Sequence, residues 1–452
     1  MSPSVDSPLF EIVGGVDDLH VHLRTPPFNT EILARLARAG GAGRVLVMPN
    51  LERPVTGASR ATAYRRAINR AEPRLDALMT LYFTEGLTPA DVETAAREGV
   101  TAIKLYPAGA TMNSAYGVSL SRLATMAPVL AAMEKHGLIL CIHGEIPPGE
   151  AVPVRTGWET ASELATAGNA ATATSSDPFD AALLKELIEA EPVVACSLTG
   201  EAYFLPILLQ LTREFPRLKI VLEHVTTAAA VMTVARCGPN VAATITVHHI
   251  DMIADDWAGR GHLFCKPVAK TARDRAALRQ VIRMGHPRFF LGSDSAPHSL
   301  PAKLPPNGGS AITLEQATRA PESLPSGQSP VACCPGVFTS PLLVAYLATS
   351  LERFGALDRL ADFAGRFGRE FYGLAAAAPP GGEPGVLRIF RRPQVVPEHY
   401  DLPGGPVVPY LAGVTLPFSV EWANTAEPTE CPVLAAGEAH PDALDEAGVP
   451  WV

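Results

Sequence analysis

The sequence contains neither a long apolar run nor a dense run of basic residues. No stretch approaches the roughly 18 uninterrupted apolar residues of a membrane-spanning helix. The N-terminal segment MSPSVDSPLFEIVGG has neither the basic region nor the apolar region of a secretory signal. Acidic residues outnumber basic ones, 46 to 37, which gives a net charge of −9 and argues against a broad nucleic-acid surface. We therefore expect a soluble, cytoplasmic protein that acts on a small molecule and has no membrane or nucleic-acid partner.

Cysteine is also scarce, and its spacing is irregular. The seven cysteines form no CxxC pair, and their number is odd, so we expect reduced thiols rather than a disulfide framework. The adjacent Cys333 and Cys334 resemble part of a zinc knuckle, but no second cysteine pair accompanies them.

Short apolar segments typical of strands alternate with longer segments typical of helices. Such alternation is typical of parallel strands, and eight repeats of it predict an α/β fold, a closed (β/α)8 TIM-type barrel. The 452 residues exceed the roughly 250 that such a barrel needs, which leaves room for additions. The predicted strands are 15–22, 44–48, 77–83, 101–105, 138–143, 219–223, 241–246 and 288–293, and the predicted helices are 29–39, 59–71, 89–98, 120–136, 202–215, 226–236, 272–285 and 340–355.

Two regions interrupt this alternation, and a third follows it. The separation of His143 and His224 exceeds one loop and one helix, so we predict an insertion at about 144–200, after the fifth strand. The segment 299–330 is rich in Pro, Gly and Ser and is predicted to be a long loop above the site. We expect the barrel domain to cover 1–374, a Pro/Gly-rich extension packed on it to cover 375–422, and an acidic tail to cover 423–452.

Polar side chains stand at or just past the ends of five predicted strands. In the segment DDLHVHLR, His20 and His22 are two residues apart and therefore share one face of an extended chain. A lone histidine at a strand end is more often structural, and a lone lysine is usually solvated. Six such residues at the carboxyl ends of barrel strands, where active sites of this fold lie, instead predict a metal site. They are His20, His22, Lys104, His143, His224 and Asp294.

The types of ligand indicate the chemistry. Imidazole and carboxylate suit zinc-class ions, and two such ions roughly 3.5–4 Å apart can share a hydroxide while polarising a carbonyl. A protonated lysine would repel a cation, so Lys104 can bridge two metals only as a carbamate formed with carbon dioxide. Asp294 could bind one metal and shuttle a proton between the hydroxide and a leaving nitrogen.

The motifs around these residues resemble those of dihydroorotase, of the free-standing type found in bacteria and fungi. The resemblance runs in order from about residue 15 to 422 and excludes the predicted insertion and the extreme tail. The segments that carry it are DDLHVHLR, VLVMPNLERPVT, AIKLYPAGATMNSAYGV, CIHGE, VLEHVTT, AATITVHH, GHLFCKP, FFLGSDSAPH and EFYGL.

The resemblance implies the reversible cyclisation of N-carbamoyl-L-aspartate to L-dihydroorotate in pyrimidine biosynthesis. It also implies a homodimer with two zinc ions per subunit and a carboxylated, bridging Lys104. One ion would be held by His20, His22, Lys104 and Asp294, with Asp294 as general acid/base, and the other by Lys104, His143 and His224. The substrate carboxylate would be bound by Arg24, Asn50 and His298, and Thr111 would close over the substrate.

The chain departs from this family pattern at three places. The loop GATMNS retains Thr111 but has Met112 where a second threonine is usual, which predicts weaker or slower handling of carbamoyl aspartate. The segment VFTSP at 337–341 lacks the usual Asn-Ala pair. Lys266 stands where an apolar residue is more common.

Two other functions remain open from the sequence. A hydantoinase or allantoinase would share the metal site, although it would not need the three carboxylate-binding residues. A catalytically silent relative that serves as a scaffold would usually have lost metal ligands, and all six are present here.

Overall fold

The computed structural model describes residues 7–25, 28–149, 194–303, 333–375, 377, 379, 382 and 384–423. Most of the predicted insertion and of the 299–330 loop, and all but the first residue of the predicted tail, lie outside this part of the chain.

A parallel barrel forms the centre of the molecule, as predicted. After a first strand, β1 (Phe10–Val13), eight strands pair side by side in chain order from β2 to β9. An isolated parallel bridge between Val21 and Ser295 joins the last strand back to the first. All eight predicted strands are present, and the TIM-type barrel is confirmed. The barrel strands are β2 (Val16–Val21), β3 (Ala42–Val47), β4 (Asp76–Tyr82), β5 (Ala102–Leu105), β6 (Ile139–Ile142), β7 (Ile220–Leu222), β8 (Val241–Ile245) and β9 (Phe289–Leu291).

The barrel strands are buried on both faces, which explains why their sequences are apolar runs rather than alternating patterns. Side chains such as Leu19, Leu46 and Phe290 fill the interior. A second, larger cluster lies between the strands and the surrounding helices. Because both faces are buried, even a strand of three residues such as β7 is an uninterrupted apolar segment in the sequence.

Helices cover the outside of the barrel, and several begin at side-chain caps. Asn29 accepts a hydrogen bond from the backbone N–H of Glu31 at 2.7 Å, and Thr88 forms a capping box with Asp91. The α-helices are Thr30–Ala39, Ala58–Ala71, Pro89–Arg97, Ala127–His136, Gly200–Glu214, Ala228–Arg236, Val247–Asp251, Ala254–Trp257, Ala272–Arg283, Leu300–Lys303, Leu343–Arg353 and Phe367–Tyr372.

The predicted helix 120–136 is divided in two. Leu120–Met126 is a 3₁₀ segment, and the α-helix begins at Ala127. Pro128 explains the break, because it has no N–H to donate to the preceding turn. Other short turns are the 3₁₀ segments Gly261–Leu263, Ser340–Leu342 and Leu357–Arg359 and the π-helical Asp362–Arg366.

The helix Phe367–Tyr372 closes the amino end of the barrel. Lys219, directly before β7, donates to the carbonyl of Phe371 at 2.7 Å, and Arg369 lies 3.2 Å from Asp17 of β2. The opposite end, where the strands terminate in polar side chains, is left for the site.

The remaining strands lie outside the barrel. β1 pairs antiparallel with β10 (Val386–Phe390), which pairs antiparallel with the last strand, β15 (Ser419–Ala423). Two small ladders lie between them in sequence, formed by β11 (Gln394–Val395) with β14 (Thr415–Leu416) and by β12 (Tyr400–Leu402) with β13 (Gly405–Val407). Of the helices described, each is too short or too polar to cross a membrane.

Candidate metal centre and active site

The seam of the barrel brings together the first and last strand ends. The backbone N–H of Asp294 donates to the carbonyl of His20 at 2.9 Å, so the two segments are locked in register. The Oδ1 atom of Asp294 lies 3.0 Å from Nε2 of His22 and 3.3 Å from Nε2 of His20. One ligand atom from each of the three residues lies within 4.8 Å of the others, a spacing on which one metal ion can bind.

An uncommon backbone conformation sets the direction of three side chains at the barrel mouth. Arg24, His224 and Asp294 have φ angles of 38°, 41° and 46°, in the left-handed region that residues with a Cβ seldom adopt. Such conformations persist where the surrounding hydrogen bonds impose them, and they are common at functional sites. For His224, the backbone N–H is held by the hydroxyl of Thr244 at 2.7 Å.

A second pair of imidazoles faces the first group. His143 directly follows β6, and His224 lies two residues past β7. Nδ1 of His143 and Nε2 of His224 are 3.2 Å apart, and the rings of His224 and His20 have centroids 5.0 Å apart. The four predicted histidines and Asp294 therefore converge at one barrel mouth.

Lys104 lies in β5 and is completely buried. Its Nζ has no hydrogen-bond partner among the residues that the structure describes, and it stands 5.3 Å from the ring of Tyr106. Burial lowers the pKa of the Lys104 amine, and the negative charge of Glu223 only partly opposes this effect. A buried, unpartnered amine of lowered pKa is chemically suited to react with carbon dioxide.

The electrostatics of the site favour electron-pair donors. Burial lowers the pKa of His22 to about 4 and that of His224 well below its ordinary value. For Asp294, burial raises the pKa, but hydrogen bonds from His20 and His22 outweigh it and hold the pKa well below the usual range. The pKa of His20 shifts the other way: burial and the charge of Lys104 lower it, but the charge of Glu223 and hydrogen bonds to Asp294 and Glu223 outweigh them and raise it. At neutral pH the site thus offers neutral imidazoles at His22 and His224 and an ionised carboxylate at Asp294, the states that bind metal.

Two carboxylates behind the histidines were not assigned a role from the sequence. Glu223 accepts from Nδ1 of His20 at 2.9 Å and from the hydroxyl of Thr244 at 2.5 Å, and Glu145 lies 3.1 Å from Nε2 of His143. Each turns the other nitrogen of its imidazole toward the centre. For Glu145, its position two residues after His143 in the motif CIHGE is the signal that could have identified it. Glu223 neighbours His224 in VLEHV but contacts His20, so its position in the sequence does not reveal its partner.

The three residues predicted to bind a carboxylate lie around the same mouth. A guanidinium nitrogen of Arg24 is 3.1 Å from Nε2 of His298, which is also 2.9 Å from the carbonyl oxygen of Pro335. Arg24 is 8% exposed, and its carbonyl is held by the hydroxyls of Thr30 and Tyr64. The pair thus forms a fixed cationic corner beside the metal-ligand residues.

The third of these residues, Asn50, is tied to the loop that carries Thr111. The amide of Asn50 donates to the carbonyl of Met112 at 3.2 Å, and the amide of Asn113 donates back to the carbonyl of Asn50 at 3.1 Å. The buried Oδ1 of Asn50 has no partner within the described residues. The side chain of Met112 plays no part in this contact, because its backbone makes the hydrogen bond.

A (β/α)8 barrel whose mouth gathers buried imidazoles, a carboxylate and a lysine defines an amidohydrolase-type enzyme. A dihydroorotase of Mycosarcoma maydis is 41% identical over 358 residues, which are 79% of this chain and 80% of the relative. A probable dihydroorotase of Schizosaccharomyces pombe is 37% identical over 80% of this chain and 86% of its own length. This chain belongs to the dihydroorotase family.

Solved structures agree with this assignment. A dihydroorotase of Saccharomyces cerevisiae, crystallised in complex with 5-fluoroorotic acid, superposes with a TM-score of 0.72 at 31% identity and covers 91% of this chain and 98% of that one. An L-hydantoinase of Arthrobacter aurescens gives a TM-score of 0.65 at 15% identity over 92% of this chain and 84% of its own, a likeness of fold alone. None of the protein-family models matches the chain.

Proposed function

We propose that this chain catalyses the reversible cyclisation of N-carbamoyl-L-aspartate to L-dihydroorotate in pyrimidine biosynthesis. The observation that carries the proposal is the convergence, at one barrel mouth, of His20, His22, His143, His224, Asp294 and the unpartnered Lys104 beside a cationic corner. Family membership supplies the reaction, and the residues at the mouth suit it.

Two zinc ions would be held by these side chains. His20, His22 and Asp294 would bind one and His143 and His224 the other. Lys104 would bridge them after its neutral amine attacks carbon dioxide, forms an N–C bond and releases one proton. The resulting carbamate would place an anion where the buried Nζ of Lys104 has no hydrogen-bond partner among the described residues. When bound, the ions supply Lewis acidity that polarises the amide carbonyl and lowers the pKa of a water molecule.

Asp294 would move the proton. Its low pKa keeps the carboxylate ionised, so in the hydrolytic direction it accepts a proton from the attacking water and passes it to the ring nitrogen as the amide C–N bond breaks. In the synthetic direction the same oxygen takes the proton from the carbamoyl nitrogen. Ring closure consumes a proton overall and is favoured at lower pH.

Arg24, Asn50 and His298 would bind the carboxylate that remains on the substrate throughout. The guanidinium of Arg24 can donate two parallel hydrogen bonds to it, and the second amide hydrogen of Asn50 can donate to it as well. The amide oxygen of Asn50, which has no partner among the described residues, can accept from an N–H of the ligand. Thr111 would contact the substrate from the loop. Hydantoin and allantoin have no carboxylate, so they would leave this corner unpaired.

Three broader points belong to the proposal. Residues 1–374 would form the catalytic domain and 375–422 an extension packed on it, which the pairing of β10 with β1 supports. From the family resemblance, we further propose a homodimer in the cytoplasm. Light scattering on the purified chain would test the dimer by its mass.

The test is spectrophotometric dihydroorotate hydrolysis by the zinc-loaded protein, with hydantoin and allantoin as competing substrates. A His20→Ala/His22→Ala variant should lose turnover, whereas a His136→Ala/His399→Ala variant, changed at histidines outside the site, should retain it. Turnover of hydantoin or allantoin alone would transfer the chain to another amidohydrolase activity, and no turnover of any would favour the scaffold role.

A further inference from the structure

A second group of metal-binding side chains lies outside the six residues described above. It consists of His248 and His249, in the short helix after β8, and Cys265, in the segment that follows Gly261–Leu263. All three are buried, and one ligand atom from each lies within 4.8 Å of the others. We propose that His248, His249 and Cys265 bind a third, structural zinc-class ion.

The geometry between two of these ligands already fits. Sγ of Cys265 lies 3.6 Å from Nε2 of His249. With Zn–S near 2.3 Å and Zn–N near 2.0–2.1 Å at the tetrahedral angle, two ligands of one zinc ion stand about 3.6 Å apart. Both atoms also face the carbonyl oxygen of Pro267, at 2.9 Å from nitrogen and 3.2 Å from sulfur. Metal binding would release the thiol proton of Cys265 and would require His249 to carry its single proton on Nδ1, so that Nε2 offers its lone pair to the ion.

The ring nitrogens of His248 provide evidence for a ligand that does not depend on the distances between the three side chains. Neither of its ring nitrogens has a hydrogen-bond partner within the described part of the chain, although the side chain is fully buried. Buried polar groups without a partner cost free energy, which a ligand that accepts the imidazole lone pair would recover. Burial also lowers the pKa of His248 to about 4, so that lone pair is available at neutral pH. The rings of His248 and His249 are 4.5 Å apart and stand edge to face.

The donor set indicates the class of ion. Two imidazoles and a thiolate suit zinc and its spectroscopic substitute cobalt(II) better than magnesium or calcium, which prefer oxygen. Burial raises the pKa of the Cys265 thiol to about 12, so the free thiol is protonated. A coordinated ion would remove that proton, as metal ions do for ligating thiols.

The ion would have a structural role. It would fasten the short helix after β8 to the segment Cys265–Pro267. The carbonyl of Phe264, the preceding residue, accepts hydrogen bonds from Lys303 at 2.8 Å and from the N–H of Gly336 at 2.9 Å. The site would therefore hold together three loops that border His298.

The experiment uses the full chain produced in zinc-depleted, cobalt-supplemented medium, so that ions enter during folding. Cobalt per chain and the near-ultraviolet absorption are measured together, because a thiolate ligand to cobalt(II) gives a charge-transfer band that nitrogen and oxygen ligands lack. Wild type should show the band and hold one more ion per chain than Cys265→Ser. His248→Asn, which retains the thiol, should lose the same ion.

Two controls assign the signal. The His20→Ala/His22→Ala variant should keep the thiolate band, which separates this site from the proposed catalytic centre and from its possible failure. Cys196→Ser, at an exposed thiol, should also keep it. Absence of the band in wild type, or its persistence in a folded Cys265→Ser variant, would overturn the proposal.

Discussion

Each of two site histidines uses one ring nitrogen for a carboxylate and the other for the centre. His20 turns Nδ1 to Glu223 and Nε2 to Asp294, while His143 turns Nε2 to Glu145 and Nδ1 to His224. A carboxylate on the outer nitrogen fixes the tautomer, holds the ring plane and raises its basicity toward a metal. The carboxylates thus determine which lone pair points inward.

At Glu223 this argument gives a quantitative expectation. Glu223→Ala should weaken zinc binding by about 10–100-fold, because His20 loses its fixed orientation and Thr244 its acceptor. Glu223→Gln, which keeps an oxygen acceptor but loses the charge, should fall between Ala and wild type. Zinc affinity by competition with a chromophoric chelator measures the effect. Glu93→Ala, at an exposed helix position, is the control, and equal affinities in all four proteins would contradict the orienting role.

Met112 gives a second expectation at this scale. Met112→Thr restores a hydroxyl to the substrate loop and should lower KM for carbamoyl aspartate, or raise kcat/KM, by roughly two- to tenfold, the equivalent of about 0.5–1.5 kcal/mol for one hydrogen bond. The contact between Asn50 and the backbone of residue 112 should survive, since no side-chain atom of Met112 contributes to it. Met284→Thr, at an exposed methionine, controls for the change in polarity. Unchanged kinetics in Met112→Thr would remove the basis of the expectation.

At the scale of elements, the position of Asp294 depends on close approach between strands. A Cβ placed on Gly292 would lie 2.8 Å from the Cβ atoms of both His20 and Thr244, on the two strands that flank β9. Only a residue without a side chain lets β9 approach them closely enough for Asp294 to reach the imidazoles. The glycine in the motif FFLGSD is therefore a packing requirement of the site.

Gly292→Ala should consequently lower both activity and stability. Forcing a methyl group into this contact is expected to cost about 1–3 kcal/mol, and displacement of His20 should reduce kcat further. Thermal unfolding and dihydroorotate hydrolysis would be measured side by side. Gly86→Ala is the matched control, because its nearest neighbour would be 3.9 Å from the new Cβ. If Gly292→Ala and Gly86→Ala have the same Tm and the same rate of dihydroorotate hydrolysis, the close approach of the strands is not required for function.

The same elements show what could be predicted from the sequence. The eight strands are recognisable because burial on both faces leaves apolar runs, and the six ligands are recognisable because they lie at or just past the ends of those runs. The role of Glu223 is not recognisable from the sequence, because its contact with His20 joins residues 203 positions apart. The cluster of His248, His249 and Cys265 is not predictable from the sequence for a similar reason, because a loop brings Cys265 back to the helix and no local periodicity indicates that contact. By contrast, the division of the helix 120–136 has a signal in the sequence, because Pro128 is favoured in the first turn of an α-helix.

At the scale of the whole molecule, the candidate metal centre connects distant parts of the barrel. Its side chains lie in, or within three residues after, β2, β5, β6, β7 and β9, so the two proposed ions together would link five of the eight barrel strands. At the seam between β9 and β2, backbone pairing is limited to an isolated bridge and flanking hydrogen bonds, and the carboxylate of Asp18 accepts hydrogen bonds from the N–H and the hydroxyl of Ser293 at 2.7 and 2.6 Å. His20, His22 and Asp294 span this seam, and ligation across it would complete the ring of strands.

Because these ligands converge only in the folded chain, removal of metal should lower stability. An ion present at about one hundred times its dissociation constant contributes about 2.7 kcal/mol when the unfolded chain does not bind it. Dialysis of the zinc-loaded protein against a strong chelator should therefore lower Tm by several degrees, and restored zinc should return it. The His20→Ala/His22→Ala variant should start from a lower Tm and shift less on chelation, since the seam can no longer be bridged. If chelation lowers Tm as much in the variant as in wild type, the stabilising ion binds elsewhere. If the Tm of wild type does not depend on zinc, the barrel closes without help from the metal centre.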